Sequence, residues 1–154
     1  MIERERKFLV DTLPDGLGPP VSVRQGYLAV DGEVEVRVRD AGGQHTLTVK
    51  GGRGRDRTEV DTPLDETQFG ALWPLTDGRR IEKERHRVPI DVRLTAEVDV
   101  YRGRHQGLRV VEVEFHAEVD PDAFTPPDWF GPEVTGDPRY ANAGLAATAG
   151  PPDR

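Results

Sequence analysis

The sequence has no cysteine and only one methionine among its 154 residues. Without thiols, the chain can form neither disulfides nor thiolate metal sites, so cysteine usage does not constrain its redox compartment. It also has no apolar run near the ~18 residues that suggest a membrane-spanning helix. Charged residues follow Met1 almost at once, where a signal peptide would have its hydrophobic region. We therefore expect a cytoplasmic protein with no membrane partner.

Basic residues are in the minority, with 21 Lys and Arg against 28 Asp and Glu, which gives a net charge of −7. General nucleic-acid binding needs a basic surface that displaces counterions, so we expect no nucleic-acid partner. A local basic cavity remains compatible with this charge balance. The length suits one domain with a real core. We predict a single domain over residues 1–148 and a disordered tail over residues 149–154.

Two common signatures of phosphate and metal binding are missing. Residues 50–57, KGGRGRDR, lack the G-x-x-x-x-G-K-[ST] pattern of a P-loop and are predicted to form a mobile hairpin loop. The four histidines are scattered, without the spacing of a zinc site. Any site for phosphate or metal must therefore be built differently.

Short strands punctuated by turn residues dominate the sequence. The alternation of apolar and polar residues predicts eight strands, at residues 2–10, 21–29, 33–39, 45–50, 56–61, 79–88, 95–101 and 108–115. A helix is predicted to begin with Thr62 as its N-cap and Pro63 at its first position, and to end at Trp73. An antiparallel meander of this size tends to close, because closure removes exposed edges. We predict a mainly β (α+β) fold, an eight-stranded antiparallel β-barrel with a few short helices outside.

Charged residues recur at alternate positions on most of these strands. Residues i and i+2 of a strand lie on the same face. The pairs are mostly of one sign: Arg37/Arg39 and Lys83/Arg85 are basic, and Glu59/Asp61, Glu97/Asp99 and Glu112/Glu114 are acidic. One such pair is typical of a solvated face. Charged pairs on at least six strands, mostly of one sign, are less typical, because like charges on neighbouring positions repel and soluble surfaces intersperse their signs.

Segregated basic and acidic pairs suit a site that binds a polyanion together with a divalent cation. Phosphate oxygens accept hydrogen bonds from Arg and Lys, whereas Mg²⁺ or Mn²⁺ prefers carboxylate oxygens. If the charged faces point inward, the barrel encloses a wet polar tunnel whose charges are compensated by ligand and metal. The valines would then face outward, where helices and loops, or a second copy in a homodimer, would cover them.

The order of the motifs resembles that of the CYTH family, also called the triphosphate tunnel metalloenzymes. The family's hallmark E-x-E-x-K strand is matched by Glu3, Glu5 and Lys7. The other blocks follow in order: QGYL, VRVR, LTVKG, R-x-E-x-D, IEKER, EVDVY, VEVEF and DPRYAN. The resemblance covers about residues 2–146. Two positions depart from the pattern, because Asp61 stands where many members have Glu and Arg4 where an aliphatic residue is commoner.

The resemblance implies a metal-dependent triphosphatase with Mg²⁺ or Mn²⁺ as cofactor. It is closest to short bacterial inorganic triphosphatases, so the implied reaction is cleavage of inorganic tripolyphosphate to pyrophosphate and phosphate. The implied phosphate ligands are Lys7, Arg37, Arg39, Lys50, Arg57, Lys83, Arg85 and Arg139. The implied metal ligands are Glu3, Glu5, Glu59, Asp61, Asp99, Glu112 and Glu114. Glu3 or Glu5 would position the attacking water, and Tyr27 is either a contact of Lys7 or substrate or a packing aromatic.

Three other functions stay open at this point. A class IV-type adenylate cyclase and a thiamine or nucleoside triphosphatase would use the same triphosphate and metal apparatus. A non-catalytic polyphosphate- or nucleotide-binding module would need the bases more than the acids. The acids on the first, fifth, seventh and eighth predicted strands argue against that module.

Overall fold

The computed structural model describes residues 2–52 and 57–153, with only the backbone of residues 2 and 3. Residues 53–56, which are half of the predicted hairpin loop and include the predicted start of the fifth strand at residue 56, lie outside the described residues. The described part contains these strands: β1 Ile2–Glu3, β2 Glu5–Leu9, β3 Val21–Asp31, β4 Val34–Ala41, β5 Gln44–Gly51, β6 Arg57–Leu64, β7 Arg80–Pro89, β8 Thr95–Arg102 and β9 Arg109–Glu114. Its helices are α1 Glu66–Leu72, α2 Asn142–Ala146, and short 3-10 turns at Trp73–Thr76, Gly103–His105 and Pro121–Ala123.

All of the strands belong to one antiparallel sheet, in the order β1-β6-β5-β4-β3-β7-β8-β9-β2. Strands β1 and β2 are two parts of the predicted first strand, separated at Arg4, so the prediction of eight antiparallel strands is confirmed. Strand β1 pairs with β6 and strand β2 pairs with β9, at opposite ends of the sheet. Because β1 and β2 follow one another in the chain, these pairings curl the sheet into a barrel. The β1–β6 ladder has two residue pairs, whereas the β2–β9 ladder has five.

Tight turns set the register of the hairpins. The turn between β3 and β4 contains Gly32 with φ +59°, a left-handed conformation that glycine adopts without steric cost. Across the β3–β4 ladder, Gln25 lies opposite Arg39 and Tyr27 lies opposite Arg37. The register therefore places a row of polar side chains from two neighbouring strands on one face of the sheet.

The predicted start of the long helix is wrong by three residues. Strand β6 continues to Leu64, and the N-cap is Asp65, whose side chain accepts from the Gln68 backbone N–H at 2.7 Å. Thr62 and Pro63 instead pair with β5. Proline is tolerated there because β1 pairs only with Arg57 and Thr58 of β6 within the described chain, which leaves the later part of that strand at an edge. The predicted end of the helix agrees with the structure to within one residue.

Apolar side chains cover the outer face of β2, β8 and β9. Phe8, Val98, Val111 and Val113 are buried there beneath an aromatic layer from the later part of the chain, which includes Phe130. Valines on the outer face of β4, β5 and β6 have no such cover among the described residues, and Val34, Val49 and Val60 are 49%, 37% and 54% exposed. No helix of the described chain has the length and apolar character needed to cross a bilayer.

Candidate active site

The charged faces of the strands meet inside the barrel. Lys7, Arg37 and Lys83 come from β2, β4 and β7, and each is almost completely buried. Arg39 and Arg85 lie on the same faces, each two residues from a buried cation of its own strand. Lys50 lies between Glu35 and Glu59 in the ladders of β5 with β4 and β6. A buried cation is stable only beside compensating charge, and carboxylates from β6, β8 and β9 provide part of it.

The tightest charge cluster joins β7 and β8. The Lys83 Nζ lies 2.8 Å from Asp99 Oδ2, and both side chains are fully buried. Arg85 donates two hydrogen bonds to Asp99, at 2.8 and 2.9 Å, and lies 3.2 Å from Glu97. Burial lowers the pKa of Lys83 to about 7, although Asp99 opposes the shift. Burial alone would raise the pKa of Asp99, but Lys83 and Arg85 hold it below its ordinary value.

A second cluster joins β2 and β9. The Lys7 Nζ lies 3.1 Å from Glu112 and donates to the Tyr140 carbonyl at 3.0 Å. Burial acts to lower the pKa of Lys7, but Glu112 and Glu5 raise it overall. Burial also opposes ionisation of Glu112, yet Lys7 and Lys83 bring its pKa well below the ordinary value. Both groups of this pair are therefore charged at neutral pH.

The ion pairs that join described residues of β4, β5 and β6 to one another are longer. Glu59 lies 3.7 Å from Arg37 and 4.0 Å from Lys50. Arg57 lies 3.8 Å from Glu35. Asp61 is exposed and accepts a hydrogen bond at 2.6 Å from the buried hydroxyl of Thr48.

Neutral donors complete the row opposite β4. Arg39 donates from Nε to the Gln25 Oε1 at 3.0 Å. Burial, followed by the charges of Arg37 and Arg85, lowers the pKa of Arg39 to about 10. Tyr27 is 1% exposed, and neither its hydroxyl nor the Gln25 amide nitrogen has a hydrogen-bond partner among the residues described.

Three of the predicted site residues differ from the rest in placement. Arg139 is exposed and pairs with Asp137 at 2.7 Å. Glu114 is exposed, at the position opposite Glu5 in the β2–β9 ladder. The side chain of Glu3 lies outside the described residues.

Sequence reasoning missed Gln25, Thr48 and Glu35, which all contact the predicted ligands. Their signal is the period of two, because each lies two residues from a predicted site residue on the same strand: Tyr27, Lys50 and Arg37, respectively. A pattern of like-charged pairs does not mark Gln25 and Thr48, which are neutral, or Glu35, whose i+2 neighbour is a base.

The other end of the tunnel is apolar and filled. Leu145 of α2 is buried there with Ile81, Tyr101 and Tyr27, and α2 packs against β3 and β7. The Tyr101 hydroxyl donates to the Asn142 side-chain oxygen, which fixes α2 to the barrel wall. The charged part of the tunnel is therefore closed at one end by the chain itself.

The carboxylates fit a magnesium-type ion that shares its shell with substrate. No group of three or more His, Asp or Glu side chains within the described chain could hold a metal by itself. Mg²⁺ is commonly held by one or two carboxylates together with water and substrate phosphates. Glu5 and Glu114 are cross-strand neighbours on the face that carries Lys7 and Glu112, and a pair of this kind meets that requirement.

Comparison with known proteins agrees with this geometry. The model of the CYTH domain matches residues 1–126. An inorganic triphosphatase from Nitrosomonas europaea is 46% identical over 147 residues, which cover 95% of this chain and 97% of that protein. An inorganic triphosphatase from Acetivibrio thermocellus is 39% identical over 147 residues, covering 93% of this chain and 92% of that protein.

Solved structures share the fold. The crystal structure of the inorganic triphosphatase NE1496 superposes with a TM-score of 0.71 at 44% identity, covering 94% of this chain and 97% of that one. A putative adenylate cyclase from Bacillus halodurans superposes with a TM-score of 0.58 over 75% of this chain and 81% of its own, at 17% identity, and shows the shared fold alone. The matched domain model, the identity of the relatives and the charged tunnel agree: this chain belongs to the CYTH family.

Proposed function

We propose that this protein is a metal-dependent hydrolase that cleaves inorganic tripolyphosphate to pyrophosphate and phosphate. The observation that carries the proposal is the convergence of six cations on one enclosed tunnel: Lys7, Arg37, Arg39, Lys50, Lys83 and Arg85. So many positive charges at short range are best compensated by a polyanion with several oxygens. The relatives at 46% and 39% identity, both named inorganic triphosphatases, support this choice.

In the proposed reaction, the cations hold the triphosphate chain extended along the tunnel. Arginines contact two oxygens at once, whereas lysines act as compact charges. Asp99 keeps Lys83 and Arg85 oriented before substrate arrives, which removes an entropic cost from the bound state. Glu5 and Glu114, together with Glu3, would hold Mg²⁺ or Mn²⁺. When bound, this ion neutralises phosphate oxygens and stabilises the charge that develops during in-line displacement.

One of the acids at the metal site would also serve the attacking water. Glu5, beside Lys7 on β2, is our candidate to orient the water and accept its proton, with Glu3 as the other candidate. Tyr27 lies deeper in the same tunnel, opposite Arg37, and we propose that its hydroxyl contacts the substrate. Glu59 and Asp61 are candidates for further metal contacts, and Arg57 for a phosphate contact at the tunnel mouth.

Because one end of the tunnel is filled, the tunnel suits a compact inorganic substrate better than a nucleotide. An adenylate cyclase must hold adenine and ribose as well as the triphosphate. The apolar end is occupied by Leu145, Tyr101 and Ile81, so any base would have to lie at the opposite opening. This observation favours tripolyphosphate over ATP and thiamine triphosphate.

The test is an assay of the purified protein with tripolyphosphate, ATP or thiamine triphosphate, each with Mg²⁺ or Mn²⁺ and with no metal. We expect phosphate and pyrophosphate from tripolyphosphate with metal, and little product from the other two. Arg39→Met should lower kcat/KM about 100-fold, because it removes a charged hydrogen-bond donor that would contact the substrate. The matched control is Arg87→Met, whose side chain is 75% exposed and which should keep its activity. Cyclic AMP with pyrophosphate from ATP would overturn the proposal in favour of a cyclase, and binding without turnover would favour the non-catalytic module.

A homodimer and a cytoplasmic location remain predictions from the sequence. Sedimentation velocity would measure the first, and fractionation of cells that make the protein would measure the second.

A further inference from the structure

Gln25 is a buried polar residue at the centre of the tunnel wall. It lies on β3 between Arg39 of β4 and Ile81 of β7 in the two ladders, and it is completely buried. An amide in such a place needs hydrogen-bond partners for both its oxygen and its nitrogen.

The contact with Arg39 fixes which way the amide points. A guanidinium can only donate, so the atom that faces Arg39 Nε at 3.0 Å must be the oxygen of Gln25. The amide nitrogen is thereby directed away from Arg39. Within the described chain, no oxygen accepts a hydrogen bond from it.

A second neutral donor lies beside it. Tyr27 is two positions further along β3, so its side chain points to the same face, and it lies opposite Arg37 in the ladder. Its hydroxyl also has no partner among the residues described. Two neutral donors of β3 thus run parallel to the two guanidiniums of β4.

The surroundings define the missing acceptor. The charged side chains nearest to this row on β4 and β7 are cations, namely Arg37, Arg39, Lys83 and Arg85, and Asp99 is already bound by two of them. A donor among cations is best satisfied by an oxygen of an anionic ligand that those cations also bind. The oxygens of a phosphate chain meet this description.

We infer that Gln25 is a substrate-binding residue, whose amide N–H donates to an oxygen of the bound triphosphate while its carbonyl oxygen positions Arg39. The inference rests on the proposed function, because the acceptor is the substrate of that reaction. Its physical advantage is that an amide adds a donor without adding another positive charge to a crowded cationic wall. Burial, followed by the charges of Arg37 and Arg85, already lowers the pKa of Arg39.

Two variants separate the two halves of this role. Gln25→Glu keeps an oxygen for Arg39 but replaces the amide donor with a second, negatively charged oxygen. Gln25→Met keeps the approximate length and removes both polar groups. The matched control is Gln44→Glu, which makes the same charge change at an exposed position at the start of β5.

The first measurement is the affinity for tripolyphosphate by calorimetry, with and without Mg²⁺. We expect binding to weaken about tenfold in Gln25→Met and more than about 100-fold in Gln25→Glu, because the latter places an anion against the phosphate. Gln44→Glu should bind within about twofold of the wild type. Wild-type affinity in both Gln25 variants would overturn the inference.

The second measurement uses the wild-type chain and does not depend on the variants folding. The side-chain NH₂ signals of Gln25, assigned by NMR, should shift downfield and become protected from exchange when tripolyphosphate saturates the protein. Unchanged signals at saturation would overturn the inference.

These results separate the inference from the proposed function. If the wild type binds tripolyphosphate but does not cleave it, the hydrolase proposal fails and Gln25 is still judged by binding and by NMR. If the wild type cleaves tripolyphosphate and neither Gln25 measurement changes, the inference alone fails. If the wild type does not bind tripolyphosphate, both fail.

Discussion

The two walls of this barrel solve the problem of buried charge in different ways. On the wall formed by β7, β8, β9 and β2, ion pairs are short, with Lys83–Asp99 at 2.8 Å and Lys7–Glu112 at 3.1 Å. On the wall formed by β4, β5 and β6, Glu59 lies 3.7 and 4.0 Å from its two basic neighbours. The outer faces differ in the same sense, because an aromatic layer covers the first wall and valines are exposed on the second.

The difference indicates a division of labour. The short pairs on the first wall are bound to one another and shielded from water, so their geometry is set before substrate arrives. The longer pairs on the second wall are weaker, so their cations lose less interaction energy when they turn toward a phosphate. We therefore expect the first wall to keep its geometry more firmly than the second.

The largest expected effect is on the first wall. Asp99→Asn leaves Lys83 and Arg85 buried without their shared carboxylate, so the free energy of unfolding should fall by about 3–5 kcal/mol. Glu59→Gln on the second wall should cost less than about 1 kcal/mol, because its ion pairs with Arg37 and Lys50 are long and its side chain is partly exposed. Chemical denaturation of both variants measures the contrast. Equal losses would show that the walls do not differ.

The next effect concerns the layer that covers the first wall. Arg6 donates to Glu133 at 2.9 and 2.7 Å and to the carbonyls of Pro121 and Phe124, so it fixes the later part of the chain to β2. Arg6→Met should lower the free energy of unfolding by about 2 kcal/mol. The control is Arg102→Met, whose side chain is 48% exposed and pairs with Glu84 at 3.0 Å; it should cost less than about 1 kcal/mol. If Arg6→Met melts at the same temperature as the wild type, this contact does not stabilise the fold.

A smaller effect is the uptake of a proton at Lys83. Its pKa of about 7 in the free protein lies below its ordinary value, so at pH 8 the amine is mostly neutral. A bound polyanion favours the ammonium form and raises that pKa, so binding at pH 8 should take up about one proton at Lys83. At pH 6 the amine is already charged and this uptake should vanish. Calorimetry in two buffers of different protonation enthalpy measures it, with Lys83→Met as the control. If the wild type and the variant differ in proton uptake by the same amount at pH 6 and pH 8, the proton is not taken up at Lys83.

The smallest effect is expected on the outside of the second wall. Val60 is 54% exposed, so Val60→Thr should change the free energy of unfolding by less than about 0.5 kcal/mol. Val111→Thr, beneath the aromatic layer, should cost about 1–3 kcal/mol because it buries a hydroxyl. Denaturation curves for the two variants compare the outer faces directly. A large loss in Val60→Thr would show that a second copy covers the valines, and sedimentation would then show the dimer.

Much of this architecture could be predicted from alternation alone. The charged pairs at i and i+2 placed Lys83, Asp99 and Glu112 on one face of their strands, and the structure brings them together. The same reasoning failed at Thr62, where a typical N-cap pattern lies within a strand. Local chemistry favoured the helix start there, but pairing with β5 satisfies that segment's backbone and moves the cap to Asp65.

Other features could not have been read from the sequence. Which acid pairs with which base depends on the ladder register, and nothing local indicates that Asp99 serves both Lys83 and Arg85. The role of Gln25 was also hidden, because an amide has no charge to mark it in a pattern of alternating signs. Gln25 lies beside Arg39, fourteen residues away in the chain, because the β3–β4 hairpin register places them opposite each other.

The order and spacing of residues by themselves determined the strands, the side of each strand that carries charge, and the family. Local periodicity suffices for the strands and their charged sides, because a strand turns successive side chains to opposite faces wherever it lies. The family follows from the order of the motifs. Only the tertiary structure decided that one wall is tightly paired and shielded while the other is loose, and that α2 closes one end of the tunnel. Those properties arise from contacts between residues far apart in the chain, whose energies depend on burial and distance that no local pattern encodes.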